Sequence, residues 1–313
     1  MNPQSMLQKI KTNIEDVLVG KPAAIDLVLC ALCCRGHVLI EDVPGIGKTT
    51  LVSALADSLG CSFQRIQFTP DVMPSDITGF SIADFNTGRF EYHEGAIMHQ
   101  IILADEINRT SPKTQSSLLE VMQENQVTVD GKTYRVPLPF MVLATQNPVE
   151  YVGTYPLPEA QLDRFMMKIS LGYPGIREEV SILDRHDRNV RHDAKVEPVV
   201  SAKDVLELQE KVDGVFCSPA LKEYIAQIAA NSRVSADVLL GVSPRGTIAL
   251  MLAAKGWAML SSREFVLPDD VLRMAPYVLS HRLQLKPEAR LQGLTPERVL
   301  SNIMRQIKLP DSL

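Results

Sequence analysis

His37-Val38-Leu39-Ile40-Glu41-Asp42-Val43-Pro44-Gly45-Ile46-Gly47-Lys48-Thr49-Thr50-Leu51 is the stretch that decides the fold of this chain. His37–Ile40 is a short apolar run bounded by turn residues, which predicts a buried strand. Pro and Gly then open a loop. From Lys48 onward, Leu51, Leu55 and Leu59 recur on one helical face, and Gly60 stops the helix. A strand, a glycine loop and a helix in that order make a phosphate cradle. Gly45 and Gly47 let the backbone curl so that its N–H groups converge on phosphate oxygens. The helix N-terminus adds partial positive charge. Lys48 reaches terminal phosphates, and the Thr49 hydroxyl can ligate Mg²⁺. Val43, Pro44, Gly45, Ile46, Gly47, Lys48, Thr49 and Thr50 are therefore the candidate nucleotide-binding residues. The string departs from G-x-x-x-x-G-K-[ST] at its first position, where Asp42 stands. That puts an acidic side chain at the start of the loop and makes the turn less permissive there.

Downstream, Ile101-Ile102-Leu103-Ala104-Asp105-Glu106 supplies the other half of such a site. Four apolar residues bury a strand, and two carboxylates emerge at its C-terminal end, where ligands sit in open α/β sheets. Asp105 suits Mg²⁺ through its water shell, and Glu106 suits orienting and polarising an attacking water. Phe63–Phe68 and Phe140–Ala144 read as further strands. Ser111-Pro112 opens a helix, and Val127–Val129 and Thr133–Val136 flank Asp130-Gly131 as a hairpin. Strands alternating with helices predict a mostly parallel α/β sheet covered on both faces.

Other segments read as helices. Leu7, Ile10, Ile14 and Val17 predict one over residues 3–18, and Pro22 opens a second that runs to Gly36. After Gly172 strand-like runs become rare, and helix starts recur at Ser201, Ser218, Ser243, Pro268 and Thr295. The expected division is therefore an α/β nucleotide-binding core over 1–173 and an all-helical lid over 174–313. The charged stretch Asp184–Lys195 reads as a solvated link or an exposed helix end.

Composition narrows the class. The 313 residues carry 32 basic and 37 acidic side chains, a net charge of −5. Such a balance offers no global argument for nucleic-acid or membrane binding. The longest strongly apolar run, Leu27–Cys34, falls far short of the ~20 residues that span a bilayer. The N-terminus shows no basic region followed by an apolar stretch, so neither a leader nor an anchor is expected. Five cysteines without framework spacing fit a reducing cytosol. Cys30 and Cys33, with Cys34 adjacent, read as small buried helix residues rather than a redox or metal pair. His93 and His99 lack a third ligand, so metal binding there is not expected. His186 and His192 read as solvated, and Trp257 as lid core and a candidate fluorescence reporter on nucleotide binding.

The two motifs, together with Ala144-Thr145-Gln146-Asn147-Pro148, resemble the AAA+ ATPases. By that resemblance Asn147 is the polar sensor that contacts the γ-phosphate or the water. Leu157-Pro158-Glu159-Ala160-Gln161-Leu162-Asp163-Arg164-Phe165 resembles the arginine-finger box, so Arg164 would reach into a neighbouring subunit's nucleotide. A cation there offsets charge spreading in the transition state. The plainer reading of Arg164 is a surface salt bridge. Gly241-Val242-Ser243-Pro244-Arg245-Gly246 looks like the lid's second sensor, with Arg245 closing onto the phosphates; the plainer reading is an exposed helix-start arginine.

Longer strings narrow the likeness to the MoxR family: Arg65-Ile66-Gln67-Phe68-Thr69-Pro70-Asp71, Pro74-Ser75-Asp76-Ile77-Thr78-Gly79, Ala104-Asp105-Glu106-Ile107-Asn108-Arg109 and Pro112-Lys113-Thr114-Gln115. The resemblance covers about Val19 to Leu283. It implies an AAA+ P-loop core with a five-stranded sheet, a helical lid, ATP and Mg²⁺ as cofactors, and a homo-oligomeric, hexameric ring. It implies an insert near 80–93 and a hairpin at 127–136 facing the pore or a partner. It also places Val19-Gly20 near the base. Ala96 stands where the family often has Pro, which predicts a less rigid exit from the insert.

The function expected on this basis is a cytoplasmic ATPase that remodels or activates client proteins, including ones with a von Willebrand factor A domain. The hydrolytic set is Lys48, Thr49, Asp105, Glu106, Asn147 and, in trans, Arg164. Two rivals stay open. One is a nucleotide-switched scaffold with little turnover. The other is a motor subunit acting on nucleic acid or in metal chelation, against which the acidic balance and the lack of an appended DNA-binding motif argue.

Overall fold

The computed structural model of the protein describes residues 2–84, 89–148, 153–187 and 196–310. Helix α1 (Pro3–Glu15) starts where the Asn2 side chain accepts a hydrogen bond from the Gln4 N–H, and it buries Met6, Leu7, Ile10 and Ile14. It ends earlier than the predicted residue 18, and Val17 and Leu18 turn toward a cavity instead. Helix α2 (Pro22–Cys33) is buried almost all round. Strand β1 (Val38–Glu41) leads into α3 (Lys48–Ser58), and β2 (Phe63–Gln67) follows. A short helix α4 (Pro74–Thr78) precedes the antiparallel pair β3 (Gly79–Asp84) and β4 (Arg89–Glu94). Next come β5 (Ile101–Asp105), α5 (Pro112–Glu124), the hairpin β6 (Gln126–Val129) and β7 (Lys132–Arg135), and β8 (Met141–Gln146). The core closes with α6 (Glu159–Leu162) and β9 (Met167–Ile169).

The main sheet has five strands in the order β2-β5-β8-β1-β9, every adjacent pair parallel. Alternation along each strand divides the core in two, as period-2 geometry requires. Val38, Ile40, Leu103 and Leu143 face α1, α2 and α3. Leu39, Ile102, Ala104 and Val142 face α5, where Leu118, Leu119 and Met122 meet them. Strand β9, absent from the predicted strands, is three residues long and too short to show a period.

Helix α7 (Ile176–Asp187) follows, then α8 (Ala202–Asp213), α9 (Pro219–Val234), α10 (Pro244–Leu260), α11 (Pro268–Leu279), α12 (Pro287–Leu291) and α13 (Pro296–Gln306). One small pair interrupts them, β10 (Val238–Leu240) with β11 (Gln284–Leu285). The predicted starts are N-caps in fact: Ser201, Ser218, Ser243 and Thr295 each accept a hydrogen bond from the N–H three residues on. At Pro268 the cap is made by Asp270, whose carboxylate accepts from the Leu267 N–H at 2.7 Å. The stretch 184–195 continues α7 as far as Asp187; residues 188–195, with His192 and the His186 side chain, lie outside the described residues.

The C-terminal helices dock on α2 through α10. A Cβ on Gly256 would stand 2.4 Å from Cys34 Sγ and 3.0 Å from Cys30 Sγ, so glycine lets the two helices touch. The thiols complete the seam. Cys30 Sγ donates to Ala253 O at 3.4 Å and Cys34 Sγ donates to Leu252 O at 3.1 Å. The side-chain hydrogen bond with Cys34, then burial, raises the Cys30 thiol well above its ordinary range, and burial does the same to Cys33, so both stay protonated packing groups. Trp257 sits on the same seam, near Leu7 and Leu29, with the Arg273 guanidinium 4.3 Å above its ring. It does not line the cavity around Lys48, so its use as a nucleotide reporter is not supported.

The insert is pinned at its exit. Tyr92 on β4 stacks on Tyr134 of β7 with ring centroids 3.9 Å apart. The exit expected to be loose at Ala96 is held by its own N–H, which donates to Asp76 O at 3.0 Å. A proline there could not make that bond. His93 stacks on Phe80, and His99 Nδ1 meets Ala96 O at 3.2 Å. Among the described residues no helix is long and apolar enough to cross a membrane.

Candidate active site

The loop between β1 and α3 borders a cavity of about 530 Å³. Gly45 and Gly47 have φ of +84° and +93°, a region that β-carbon-bearing residues rarely adopt. Pro44 through Thr50 all line the cavity. The first turn of α3 presents N–H groups that no residue of the helix can accept. Lys48 folds back over the loop and donates from Nζ to Asp42 O at 2.9 Å. The expected penalty at Asp42 does not arise. Its φ is not positive, and its carboxylate points away from the cavity, accepting from Ser170 Oγ at 2.8 Å and from the Leu171 N–H. The residue that replaces the first glycine thus ties the loop to the end of β9.

Asp105 and Glu106 face this cavity from the end of β5, and Asn147 from the end of β8. Thr145 positions the acidic pair. Its hydroxyl donates to Asp105 Oδ1 at 2.6 Å and accepts from the Glu106 N–H at 2.9 Å. Glu106 has φ +57° and ψ +48°, a conformation that costs a non-glycine residue on the order of 1 kcal/mol and recurs at functional sites. Its Oε2 accepts from Gln67 Nε2 at 2.8 Å and lies 3.3 Å from Arg109 Nη1. Arg65 donates twice to Asp105 Oδ2, at 3.1 Å from Nε and 2.7 Å from Nη2. The opposite end is apolar, formed by Val17, Leu18 and Val19, with Ile182 and Arg185 of α7 above it. Arg185 Nη1 donates to Asp16 O at 2.7 Å and Lys21 Nζ to Gly172 O at 2.8 Å, which fasten that end.

Arg164 and Arg245 are elsewhere. Both line a second cavity of about 630 Å³ between the start of α10 and the ends of α2 and α5. The physical reason is Asp163. Its carboxylate accepts from Arg282 Nε at 2.8 Å and from Ser243 Oγ at 2.9 Å, and Ser243 caps α10 two residues before Arg245. Arg282 also donates to the carbonyls of Val278, Phe165 and Met166. One buried arginine therefore clamps the Arg164 segment to the Arg245 helix. The reading that Arg245 closes onto the phosphates beside Lys48 is corrected to this extent: in this chain Arg245 borders the Arg164 cavity. Neither the Arg164 nor the Arg245 guanidinium has a hydrogen-bond or ion-pair partner among the described residues.

His37 lies at the back of the second cavity. Val142 N–H donates to its Nδ1 at 3.0 Å, so the proton is on Nε2, which donates to Met122 O at 2.9 Å. Burial, reinforced by Arg245, pushes its pKa down to about 4. Sequence reasoning named neither His37 nor Arg65 nor Gln67 as site residues. Arg65 and Gln67 alternate around Ile66, so they share one face of β2, and Gln67 is in register with Asp105. That period-2 polar pair, ending level with the acidic pair, is the signal that could have found them.

Comparison with known proteins agrees with this architecture. Residues 37–167 match the family described as ATPase family associated with various cellular activities, and residues 230–303 match the AAA lid domain. The chain is 52% identical to the uncharacterized protein YeaC of Bacillus subtilis, over 97% of this chain and 95% of that one. It is 39% identical to the chaperone MoxR1 of Mycobacterium tuberculosis, over 97% of this chain and 82% of the relative. A crystal structure of a proposed ATPase from Cytophaga hutchinsonii superposes with a TM-score of 0.92 at 39% identity, covering 99% of this chain and 96% of that one. The glycine loop, the acidic strand end and the helical C-terminal region thus belong to one scheme, and the chain is a member of the MoxR family of AAA+ ATPases.

Proposed function

We propose that ATP binds in the Lys48 cavity and that its hydrolysis is completed by a neighbouring copy of the chain. The observation that carries this reading is the meeting of Lys48 and Thr49 with Asp105 and Glu106 across one cavity. The residues fit the cofactors. Two positive-φ glycines and the start of α3 suit phosphate, and Val17–Val19 suit an apolar base. Thr49 and Asp105 would hold Mg²⁺, which supplies charge neutralisation at the phosphates. Glu106 orients the attacking water, and Asn147 is placed to hold water or phosphate beside it. Arg164 and Arg245 would serve the nucleotide of the next subunit, since among the described residues neither carboxylate of their own cavity, that of Asp163 (paired with Arg282) or that of Glu210, forms an ion pair with them.

In this reading residues 1–173 form the nucleotide-binding core and 174–313 the lid, supported by the family matches at 37–167 and 230–303. The assembly is a ring, six subunits by family analogy, in the cytoplasm. Its task is to remodel client proteins. Likeness to a protein named a chaperone supports this, as do Phe80 and Ile82, both exposed on β3. Clients with a von Willebrand factor A domain are the class to try first. Phosphate release with Mg²⁺-ATP, measured against protein concentration, tests the reading. Specific activity should rise with concentration, and Glu106→Gln should lose it while still binding nucleotide. Turnover that is independent of concentration would sink the shared-site part, and full activity in Glu106→Gln would sink the catalytic assignment.

A further inference from the structure

Asp105 has both oxygens engaged from within the chain: Oδ1 by the Thr145 hydroxyl, Oδ2 by two N–H groups of Arg65. A guanidinium donating twice to one carboxylate oxygen is a charge-assisted contact, about twice as strong as a neutral hydrogen bond. With the Thr145 hydroxyl on Oδ1, it leaves neither oxygen of Asp105 without a donor. Arg65 does not stop there. Its Nη2 also donates to Gln67 Oε1 at 2.7 Å, and Gln67 Nε2 donates to Glu106 Oε2 at 2.8 Å. Arg65 and Gln67 thus form a continuous hydrogen-bonded chain from the carboxylate assigned to the metal to the one assigned to the water. All four residues line the same cavity.

We propose that Arg65 is a positioning residue that competes with divalent cation for Asp105 and, through Gln67, makes release of Glu106 depend on the outcome. A hydrated cation needs Asp105 oxygens free to accept from its water shell, and two N–H groups of Arg65 already occupy Oδ2 beside a like charge, so the guanidinium must give way. The Arg65 side chain is 48% exposed on edge strand β2, so it is free to swing. Leaving Asp105, it withdraws the donor that holds the Gln67 amide, and the amide loses its fixed orientation toward Glu106. Alone, a divalent ion meets this competition in full. A phosphate in the cavity offers the displaced guanidinium a new partner, so metal and nucleotide bind with positive coupling. The consequence is that the Gln67 tether on Glu106 loosens only when metal and phosphate are both in place, which leaves Arg109 as the remaining neighbour of that carboxylate.

The proposal rests on the assignment of Asp105 to the metal, and the test separates the two. Mn²⁺ binding to nucleotide-free protein is read from the free-ion electron paramagnetic resonance signal. Arg65→Met removes the competing charge at a half-exposed site and should tighten Mn²⁺ by roughly tenfold, the effect of losing one modest charge-assisted contact. Arg65→Lys, which keeps the charge, should stay near wild type, and adding Asp105→Asn to Arg65→Met should abolish the gain. The Mn²⁺ dependence of ADP affinity should weaken in Arg65→Met, because the coupling is lost. If Mn²⁺ affinity in Arg65→Met equals wild type while Asp105→Asn abolishes the Mn²⁺ dependence of ADP binding, the competition is refuted and the metal assignment stands. If Asp105→Asn leaves that dependence intact, the assignment itself falls and the proposal with it.

Discussion

The two cavities differ in how their charges are satisfied. Around Lys48 the key charges already have a partner inside the chain: Lys48 on Asp42 O, Asp105 on Arg65 and Thr145, Glu106 on Gln67 and Arg109. Around Arg164 the balance is split. Arg282 is buried and engaged by the Asp163 carboxylate and four carbonyls, whereas the Arg164 and Arg245 guanidiniums have no hydrogen-bond or ion-pair partner among the described residues. A long cation costs entropy to hold in place and gains little from water alone. Two such cations clamped side by side mark a surface built for an anion that arrives from outside. On the proposed function the first cavity binds nucleotide by itself and the second is half of a shared site.

The strongest way to break this comparison is to separate the halves genetically. Arg164→Ala should bind nucleotide normally and lose turnover by about 10³-fold, the usual worth of such a finger. Lys48→Ala should lose binding. If the halves belong to different chains, mixing the two inactive variants with subunit exchange rebuilds intact interfaces. About a quarter of interfaces would pair a good Lys48 with a good Arg164, and activity should recover to on the order of that fraction. No recovery, with exchange verified by mass, would mean that each chain completes its own site.

The halves were not equally legible in the sequence. Val43–Thr50 and Ile101–Glu106 are local: a strand, a turn with two glycines and a helix start fix their geometry within a few residues. The N-caps at Ser201, Ser218, Ser243 and Thr295 are local for the same reason. Where Arg245 lies is not local. It depends on α10 docking against α2 at Gly256, Cys30 and Cys34, and on Asp163 and Ser243 meeting across 80 positions of sequence. The chain Arg65–Gln67 was hidden differently. It sits in a strand whose polar face looks solvent-directed until the register with β5 is known.

Stability sharpens the comparison further. Arg282→Ala would leave the Asp163 carboxylate without its main partner and the carbonyls of Asp163, Phe165, Met166 and Val278 without the guanidinium that serves them. Breaking a buried pair costs roughly 3–5 kcal/mol, and the lower end applies because the Asp163 side chain is 21% exposed and water can reach it. A loss near 3 kcal/mol in denaturant midpoints is therefore expected for Arg282→Ala, against less than about 0.5 kcal/mol for Arg164→Ala. Equal losses in the two variants would show that Arg164 is structural, and its cavity would no longer read as an open half-site.

The smallest expected effect concerns the wall behind that half-site. His37 is neutral in the fold because burial and the nearby Arg245 charge hold its pKa at about 4, below the ordinary 6.5. Its neutral ring bridges Val142 N–H and Met122 O, so protonation would turn the accepting Nδ1 into a second donor facing an N–H. The sign follows from linkage: the unfolded chain binds the proton first, so the contribution is fully present above pH 6.5 and is lost as pH falls toward 4. By pH 5 the loss should be about 2 kcal/mol. His281, also buried with its pKa lowered by burial and Arg282, adds in the same direction. Adding Arg245→Ala isolates the cavity's share. Removing that charge should raise the His37 pKa and soften the acid loss, read from chemical melts between pH 7 and 5. A pH profile indifferent to Arg245 would mean that the two groups do not sense each other, and that the second cavity is less tightly assembled around its free cations than the hydrogen bonds imply.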